Sequence, residues 1–323
     1  MVKFNETLIA LLVVAVLLLR WGTQPAMAQC CSPGNPVGGL AALGTNEEGS
    51  WQMMLNYRYG YSGTYFMGNQ PVPAQFIRSG NYNHVGVIFS YGLTNKLTID
   101  AETGYFINKT QSYVAGILPE KLSGHGLTDL NLQIRVQLWR NLLKDAEITS
   151  GAGIKIPVGR HDQMDQGARL TRDLQPTTGS YDFVHSLFLY RGFLSEKFRT
   201  FFSTRLEIKG LNPDRYRYGH LLSASGFFSW SPSLRWTLVS QLRGEWRGRD
   251  TRLLSGSGIP IDDLREIVIP TGSRKVFFVP QLTYSLTPDL YLSLLADIPL
   301  YQFYFDQQLA TTTALTLSLQ TKL

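Results

Sequence analysis

The amino-acid sequence predicts an all-β fold, a transmembrane antiparallel up-and-down β-barrel of about twelve strands, and three observations carry that prediction. The first is alternation. From Leu130 to Leu138 the even positions are Leu130, Leu132, Ile134, Val136 and Leu138, and the odd positions are Asn131, Gln133, Arg135 and Gln137. After RNLLKD the phase resumes, with Ala146, Ile148, Ala152, Ile154 and Ile156 set against Glu147, Thr149, Gly151, Gly153 and Lys155. Successive strand side chains point to opposite faces, so each strand has one apolar and one polar face. The second observation is length: such segments run roughly ten residues, the length a tilted strand needs to cross a bilayer. The third is the rhythm of the connections. A short turn precedes Ala146, and a polar loop from Val158 to Gly179 separates that strand from the next, which begins at Tyr181. Short turns at one end and long loops at the other are the signature of an outer-membrane barrel.

Residues 1–28 read as a signal peptide. Lys3 supplies the positive start, Leu8 to Leu19 is an unbroken apolar run, and Ala26-Met27-Ala28 places cleavage before Gln29. The run is too short to span as a helix, which takes about 20 apolar residues, and Arg20 interrupts it. A lipoprotein is not indicated, because Gln29 rather than a small residue precedes Cys30. Residues 29–50 read as a flexible periplasmic N-terminal segment and residues 51–323 as the barrel. The expected location is the outer membrane of a Gram-negative-type bacterium.

The wall is then read in order. Trp51–Tyr59 places Trp51, Met53, Leu55, Tyr57 and Tyr59 on one face. A loop with Gly and Pro leads to His84–Tyr91, and GLTNK turns the chain into Leu97–Ile107, whose polar face holds Asp100 and Glu102. A loop around Asn108–Gly126 precedes the central hairpin. Tyr181–Arg191 and Phe198–Lys209 form the next pair, the latter with Arg199, Ser203, Arg205, Glu207 and Lys209 on its polar face. His220–Trp230 and Trp236–Arg247 follow, joined by SPSL; a long loop, Gly248–Arg274, leads to Lys275–Leu286, and TPD turns into Leu290–Pro299. A last loop leads to Leu309–Leu323. Aromatic residues gather near both strand ends, among them Trp139, Trp230 and Trp236 at the turns and Tyr57, Tyr105 and Trp246 toward the loops, as the two interfaces of a bilayer favour.

Composition narrows the class. A hydrophobic content of 44% with mean hydropathy −0.07 excludes a helical membrane protein. The net charge is +6, and loss of residues 1–28 leaves +5, spread through strands and loops; a nucleic-acid partner is not expected. The expected partners are outer-membrane lipid and lipopolysaccharide, a small-molecule solute and the outer-membrane assembly machinery. The chain ends in Leu323, where bacterial barrels usually end in an aromatic residue. The two cysteines, Cys30 and Cys31, are adjacent and cannot staple a fold. They read either as a soft metal-ligand or redox pair or as idle thiols in a leader rich in Gly and Pro.

Three stretches, GHGLTDLNLQIRVQL, GAGIKIPVG and LQPTTGSYD, resemble a family of outer-membrane proteins named for the meta-pathway of phenol degradation. The resemblance covers the centre of the chain. Leu127-Thr128 separates Gly126 from Asp129 where the family places Gly and Asp together, and IPVG stands for LPTG. The resemblance implies a channel for small molecules, aromatic or hydrophobic ones among them, and brings no cofactor and no catalytic or ligand residues.

The inward faces supply the candidate selectivity residues Arg58, Asp100, Glu102, Arg135, Glu147, Lys155, Arg199, Arg205, Glu207, Arg243, Glu245 and Arg247, with Lys209, Asp297 and Lys322 in the same phase. Rings of such charge set selectivity in pores, and the basic excess predicts a mild anion preference. The same residues also suit cross-strand ion pairs that satisfy one another. The charged loops Val158–Gly179 and Gly248–Arg274 either narrow the mouth, bind divalent ions and lipopolysaccharide, or stay solvated. Two other classes compete with a passive channel for small solutes: a barrel hydrolase acting on lipid or peptide, and a structural or adhesive barrel with a closed lumen. Hydrolysis needs a nucleophile beside an oriented base. His185 and Ser186 are neighbours and point to opposite faces, so His84 is the one inward histidine suited to such a role. No phosphate loop, zinc motif or flavin site is present, and no cofactor is expected.

Overall fold

A computed structural model describes residues 44–74, 76–114, 119–193, 197–253 and 265–322. The signal peptide, the cleavage point before Gln29 and Cys30-Cys31 lie outside these residues. Strands β1 (Trp51–Gly68), β2 (Gln70–Val72), β3 (Ile77–Thr94) and β4 (Leu97–Tyr113) come first. Then follow β5 (Lys121–Leu127), β6 (Leu130–Asn141), β7 (Ala146–Ile156) and the short pair β8 (Met164–Asp165) and β9 (Ala168–Arg169). A 3-10 turn at Arg172–Leu174 leads to β10 (Asp182–Phe193), β11 (Phe198–Ile208), β12 (Tyr216–Arg217), β13 (Leu221–Trp230) and β14 (Trp236–Arg247). The chain closes with β15 (Thr251–Leu253), β16 (Arg265–Ile267), β17 (Ser273–Thr287) and β18 (Leu290–Lys322).

Eleven of these form the wall, in the order β1-β3-β4-β6-β7-β10-β11-β13-β14-β17-β18, and β18 pairs with β1 to close it; β2 and β5 add to its rim. A ring in which every neighbour is antiparallel needs an even number of members, and β18 meets that requirement. It is 33 residues long, and a straight strand of that length would reach on the order of 110 Å at about 3.3 Å per residue. Its first part, up to Tyr304, is antiparallel to β17, and its second, from Gln308, is antiparallel to β1. Since β17 and β1 run in opposite senses around the ring, β18 reverses between Tyr304 and Gln308 and contributes two crossings, giving the twelve expected. Side chains join its two halves: Gln302 donates to the Thr311 carbonyl at 2.9 Å, and Thr313 to that of Asp297 at 3.3 Å.

Several boundaries differ from expectation. The sequence predicts loops over residues 60–83 and 108–126, yet β1, β3 and β4 run 18, 18 and 17 residues. The last connection is a tight reversal rather than a long loop. Above the apolar band both strand faces are polar or glycine-containing (Asn81, Tyr82, Asn83; Asn108, Lys109, Thr110), so alternation vanishes while backbone pairing continues, as between Asn83 and Asn108. The wall is therefore taller at β1, β3, β4, β17 and β18 than at β6–β14, whose strands hold 10–12 residues.

Burial is inverted relative to a water-soluble protein. On β6, Asn131, Gln133 and Arg135 are 2%, 2% and 1% exposed, whereas Leu132, Ile134 and Val136 are 39%, 50% and 40% exposed. Polar groups face a packed interior and aliphatic groups face outward, which suits a wall surrounded by lipid. Beside this face, Gly151 is glycine because a Cβ there would collide with the Gln133 amide, which donates to the Ser186 hydroxyl. Placing a charge on the outer face is therefore costly: Ile134→Arg is expected to lose about 2–4 kcal/mol of folding stability in lipid. Reversible denaturant unfolding in vesicles measures this, and an unchanged midpoint would mean that Ile134 faces water.

Candidate permeation path

The interior is built in layers. At the end carrying the short turns, the segment before β1 enters the lumen. Gly44 presents its carbonyl to Arg135, the Thr45 amide and hydroxyl donate to Glu147 at 3.1 and 3.2 Å, and the Asn46 amide donates to Thr98 at 2.8 Å. Arg135 is held by Asp100 through two hydrogen bonds, at 2.6 and 2.7 Å, with both side chains about 1% exposed. A forked pair of this kind leaves the remaining guanidinium nitrogen to grip the backbone. Gly92 admits the segment, since a Cβ at that position would strike the Glu47 carbonyl. Lys322 closes this layer on Glu47 at 3.1 Å.

Above it lies a mixed layer. On one wall sits an inward aromatic cluster of Phe188, Phe201 and Phe227 with Val239, flanked by Tyr190. Sequence alternation missed it because apolar residues stand on both faces there: Phe201 is followed by Phe202, Phe227 by Phe228, and Phe188 lies between leucines. The signal was available as a break in phase, since each occupies an inward position in line with Ser186, Ser203 or Ser225.

The middle of the lumen holds two ion-pair networks. Lys155 reaches Asp129 at 3.1 Å, Glu207 at 3.6 Å and Asp182 at 3.9 Å. Lys209 binds Glu207 at 2.5 Å and Asp182 at 3.0 Å, while Arg205 binds Glu207 at 2.8 Å and Glu102 at 3.5 Å. In the second network Asp297 lies between Arg58 at 2.5 Å and Arg243 at 2.7 Å, and Arg243 also takes Glu245 at 2.8 Å. A cavity of about 670 Å³ runs past these networks toward the loop end.

The loop end is narrowed by the chain between β7 and β10, one of the two charged loops. Its turn residue Leu174 is buried with Leu170 against Leu122 of β5, and Tyr113 of β4 packs beside them. Gln175 pins the fold, accepting from the Gln163 amide at 2.9 Å and donating to the Leu170 carbonyl at 3.0 Å. Lys109 donates to the Gln175 carbonyl at 2.8 Å, and the Thr177 hydroxyl donates to Asp129. Arg172, Asp173 and Gln175 through Thr178 thereby border the cavity. Opposite them, the Tyr216 hydroxyl donates to Asp250 at 2.5 Å. Burial pushes the Tyr218 hydroxyl up to about 12, with the Asp173 charge adding to the shift. The other charged loop, 248–274, supplies Asp250 to this mouth; residues 254–264 lie outside the described part.

Of the twelve expected lumen residues, Arg58, Glu102, Lys155, Arg205, Arg243, Glu245 and Arg247 border the cavity, and Glu207 is tied to three of its cations. Arg135 and Glu147 instead bind the entering N-terminal segment, and Asp100 holds Arg135. Arg199 lies near the turn end of β11, opposite Gly192 and Ser229, away from the cavity. Lys109 and Lys275 border the cavity but were not expected, because each lies where the sequence pattern reads as a loop or a strand edge. His84 also borders it, its ring 4.8 Å from that of Phe106, and it makes no hydrogen bond with a nucleophile among the described residues. His185 turns to Ser150 at 3.2 Å, while Ser186 receives Gln133 on the other face. Among the described residues no cluster of three or more His, Cys, Asp or Glu side chains could hold a metal ion.

A closed antiparallel wall, apolar outside and polar within, narrowed at both ends by its own chain, defines an outer-membrane-type β-barrel. Among solved structures it is similar to the COG4313 outer membrane channel from Pseudomonas putida F1, with 14% identity, 88% of this chain and 98% of the other covered, and a TM-score of 0.62. The Ralstonia pickettii toluene transporter TbuX (10% identity, 87% and 91% covered, TM-score 0.40) also matches. So does a TodX monoaromatic hydrocarbon channel mutant (9% identity, 87% and 90% covered, TM-score 0.42). No family model and no curated protein matches the chain.

Proposed function

We propose that this protein is an outer-membrane channel for the passive movement of small solutes, with those carrying an aromatic or apolar body among its cargo. The observation that carries the proposal is the inverted wall enclosing a charged cavity of about 670 Å³. A polar lumen inside a lipid-facing band is the construction of a pore. The aromatic cluster of Phe188, Phe201 and Phe227 adds an apolar surface along that path. The likeness to a solved outer membrane channel supports the same reading. On this proposal the chain is exported through residues 1–28, cleaved before Gln29 and inserted in the outer membrane of a Gram-negative-type bacterium. The test is permeation through vesicles containing the refolded mature protein. Faster entry of a neutral aromatic such as benzamide than of a sugar of similar size is the expected result. Entry ordered by size alone would make it a general pore, and entry of nothing would overturn the channel reading.

A further inference from the structure

Four cations at the loop end of the cavity are held differently from those below. In the middle of the lumen each cation sits on carboxylates: three cations share four acids in one network, and two share two in the other. At the mouth the cations sit on rings. Arg172 lies 3.8 Å from the centre of Tyr216, Lys109 4.8 Å from Phe106, Lys275 5.3 Å from Tyr304 and Arg247 5.7 Å from Tyr218. Among the described residues Lys109, Arg172 and Lys275 form no ion pair. Glu245 stands opposite Lys275 on the β14–β17 ladder yet turns to Arg243 at 2.8 Å. Arg247 has a carboxylate, Asp250 at 3.3 Å, but that acid also accepts from the Tyr216 hydroxyl at 2.5 Å and the Gly219 amide at 2.7 Å.

A ring face orients a cation and attracts it, but carries no net charge to cancel it. Asp173 is the remaining acid here, and it forms no ion pair among the described residues. Asp173, Lys109, Arg247 and Lys275 border one cavity, and the charges of Asp173 and Arg247 act on both lysines, beside those of Asp129 on Lys109 and Glu245 on Lys275. Four cations outnumber Asp173 and Asp250 by two; the fourth acid of the first network offsets one of these charges, so the groups around the cavity keep a net positive charge of one.

We propose that this mouth is a binding site for a small organic carboxylate with a flat apolar body. Lys109, Lys275 and Arg247 take the carboxylate, and the body lies along Phe106 and Tyr218, the two of these rings that border the cavity. The assignment rests on the channel reading, since the bound acid is the solute that the pore would carry.

The test is equilibrium titration of the folded mature protein in detergent with benzoate and with its neutral counterpart benzamide. Benzoate is expected to bind at least about tenfold more tightly, the factor of one charge-assisted hydrogen bond. The Lys109→Gln/Lys275→Gln variant is expected to weaken benzoate about tenfold or more and to leave benzamide unchanged. Asp173→Asn, a change at an exposed residue that leaves the barrel intact, is expected to tighten benzoate binding; Lys144→Gln, at a turn on the opposite end, is expected to change nothing. Equal affinity for benzoate and benzamide, equal affinity for benzoate and chloride, or no response to Asp173→Asn would overturn the site. Binding and permeation fail separately: benzoate that binds while no solute crosses vesicles leaves the site standing and sinks the channel, and benzamide that crosses without benzoate binding does the reverse.

Discussion

Replacing Leu174 with alanine is expected to release the loop between β7 and β10 and to raise the single-channel conductance. Leu174 is 2% exposed and anchors the 3-10 turn against Leu122 and Leu170, so the loop's docking depends on this contact more than on any of its exposed charges. Removing a buried leucine side chain costs about 2–5 kcal/mol. Because the loop is docked on the wall rather than woven into it, most of that cost falls on docking and little on the barrel. The undocked population then rises by at least about tenfold. Trypsin provides a second readout at Arg169 and Arg172, since cleavage follows the open population when opening is fast. Faster cleavage with unchanged conductance would show that the loop moves without gating the path. Unchanged cleavage would show that the polar contacts of Gln163, Asp165, Gln166, Gln175 and Thr177 hold it without Leu174.

The second large effect is expected at the turn end. Arg135→Ala leaves Asp100 buried with no partner, and breaking a buried pair from one side costs about 3–5 kcal/mol. It also deprives the Gly44 carbonyl of its donor, so the N-terminal segment is expected to loosen and conductance to rise. Denaturant unfolding in vesicles gives the stability loss. The double variant Asp100→Ala/Arg135→Ala separates the two consequences, because removing both charges relieves the desolvation penalty while still freeing Gly44. Stability is expected to recover in part and conductance to stay high. A double variant with wild-type conductance would mean that Thr45–Glu147 and Asn46–Thr98 suffice to hold the segment.

The two predictions concern residues of different legibility. Arg135 was readable as an inward residue from the alternation of Leu130 to Leu138, but its hold on Gly44 was not, since the two are far apart in the chain. The inward course of residues 163–178 was readable only as one of several fates for a charged loop. Leu170 and Leu174 are the residues that decide it, and two leucines in a polar stretch carry no periodicity. Lys109 and Lys275 escaped notice for a related reason. Lys109 stands above the apolar band, where β4 has no outward face for lipid to demand; Lys275 is the first residue of its expected strand, although it lies opposite Glu245 and in phase with Phe277 and Val279.

The amino-acid sequence by itself determined the class of wall. Lipid outside and polar contents inside impose a period of two on every crossing, and closure of a wall antiparallel throughout imposes an even number of crossings. Both constraints are local or countable, so the chain carries them in plain order. Only the tertiary structure decided what fills the lumen: which cations meet carboxylates, which meet rings, and which segments of the chain turn inward. Those outcomes depend on distances between strands remote in sequence, and on the uneven height of a wall whose backbone pairing continues after its side-chain pattern has ended.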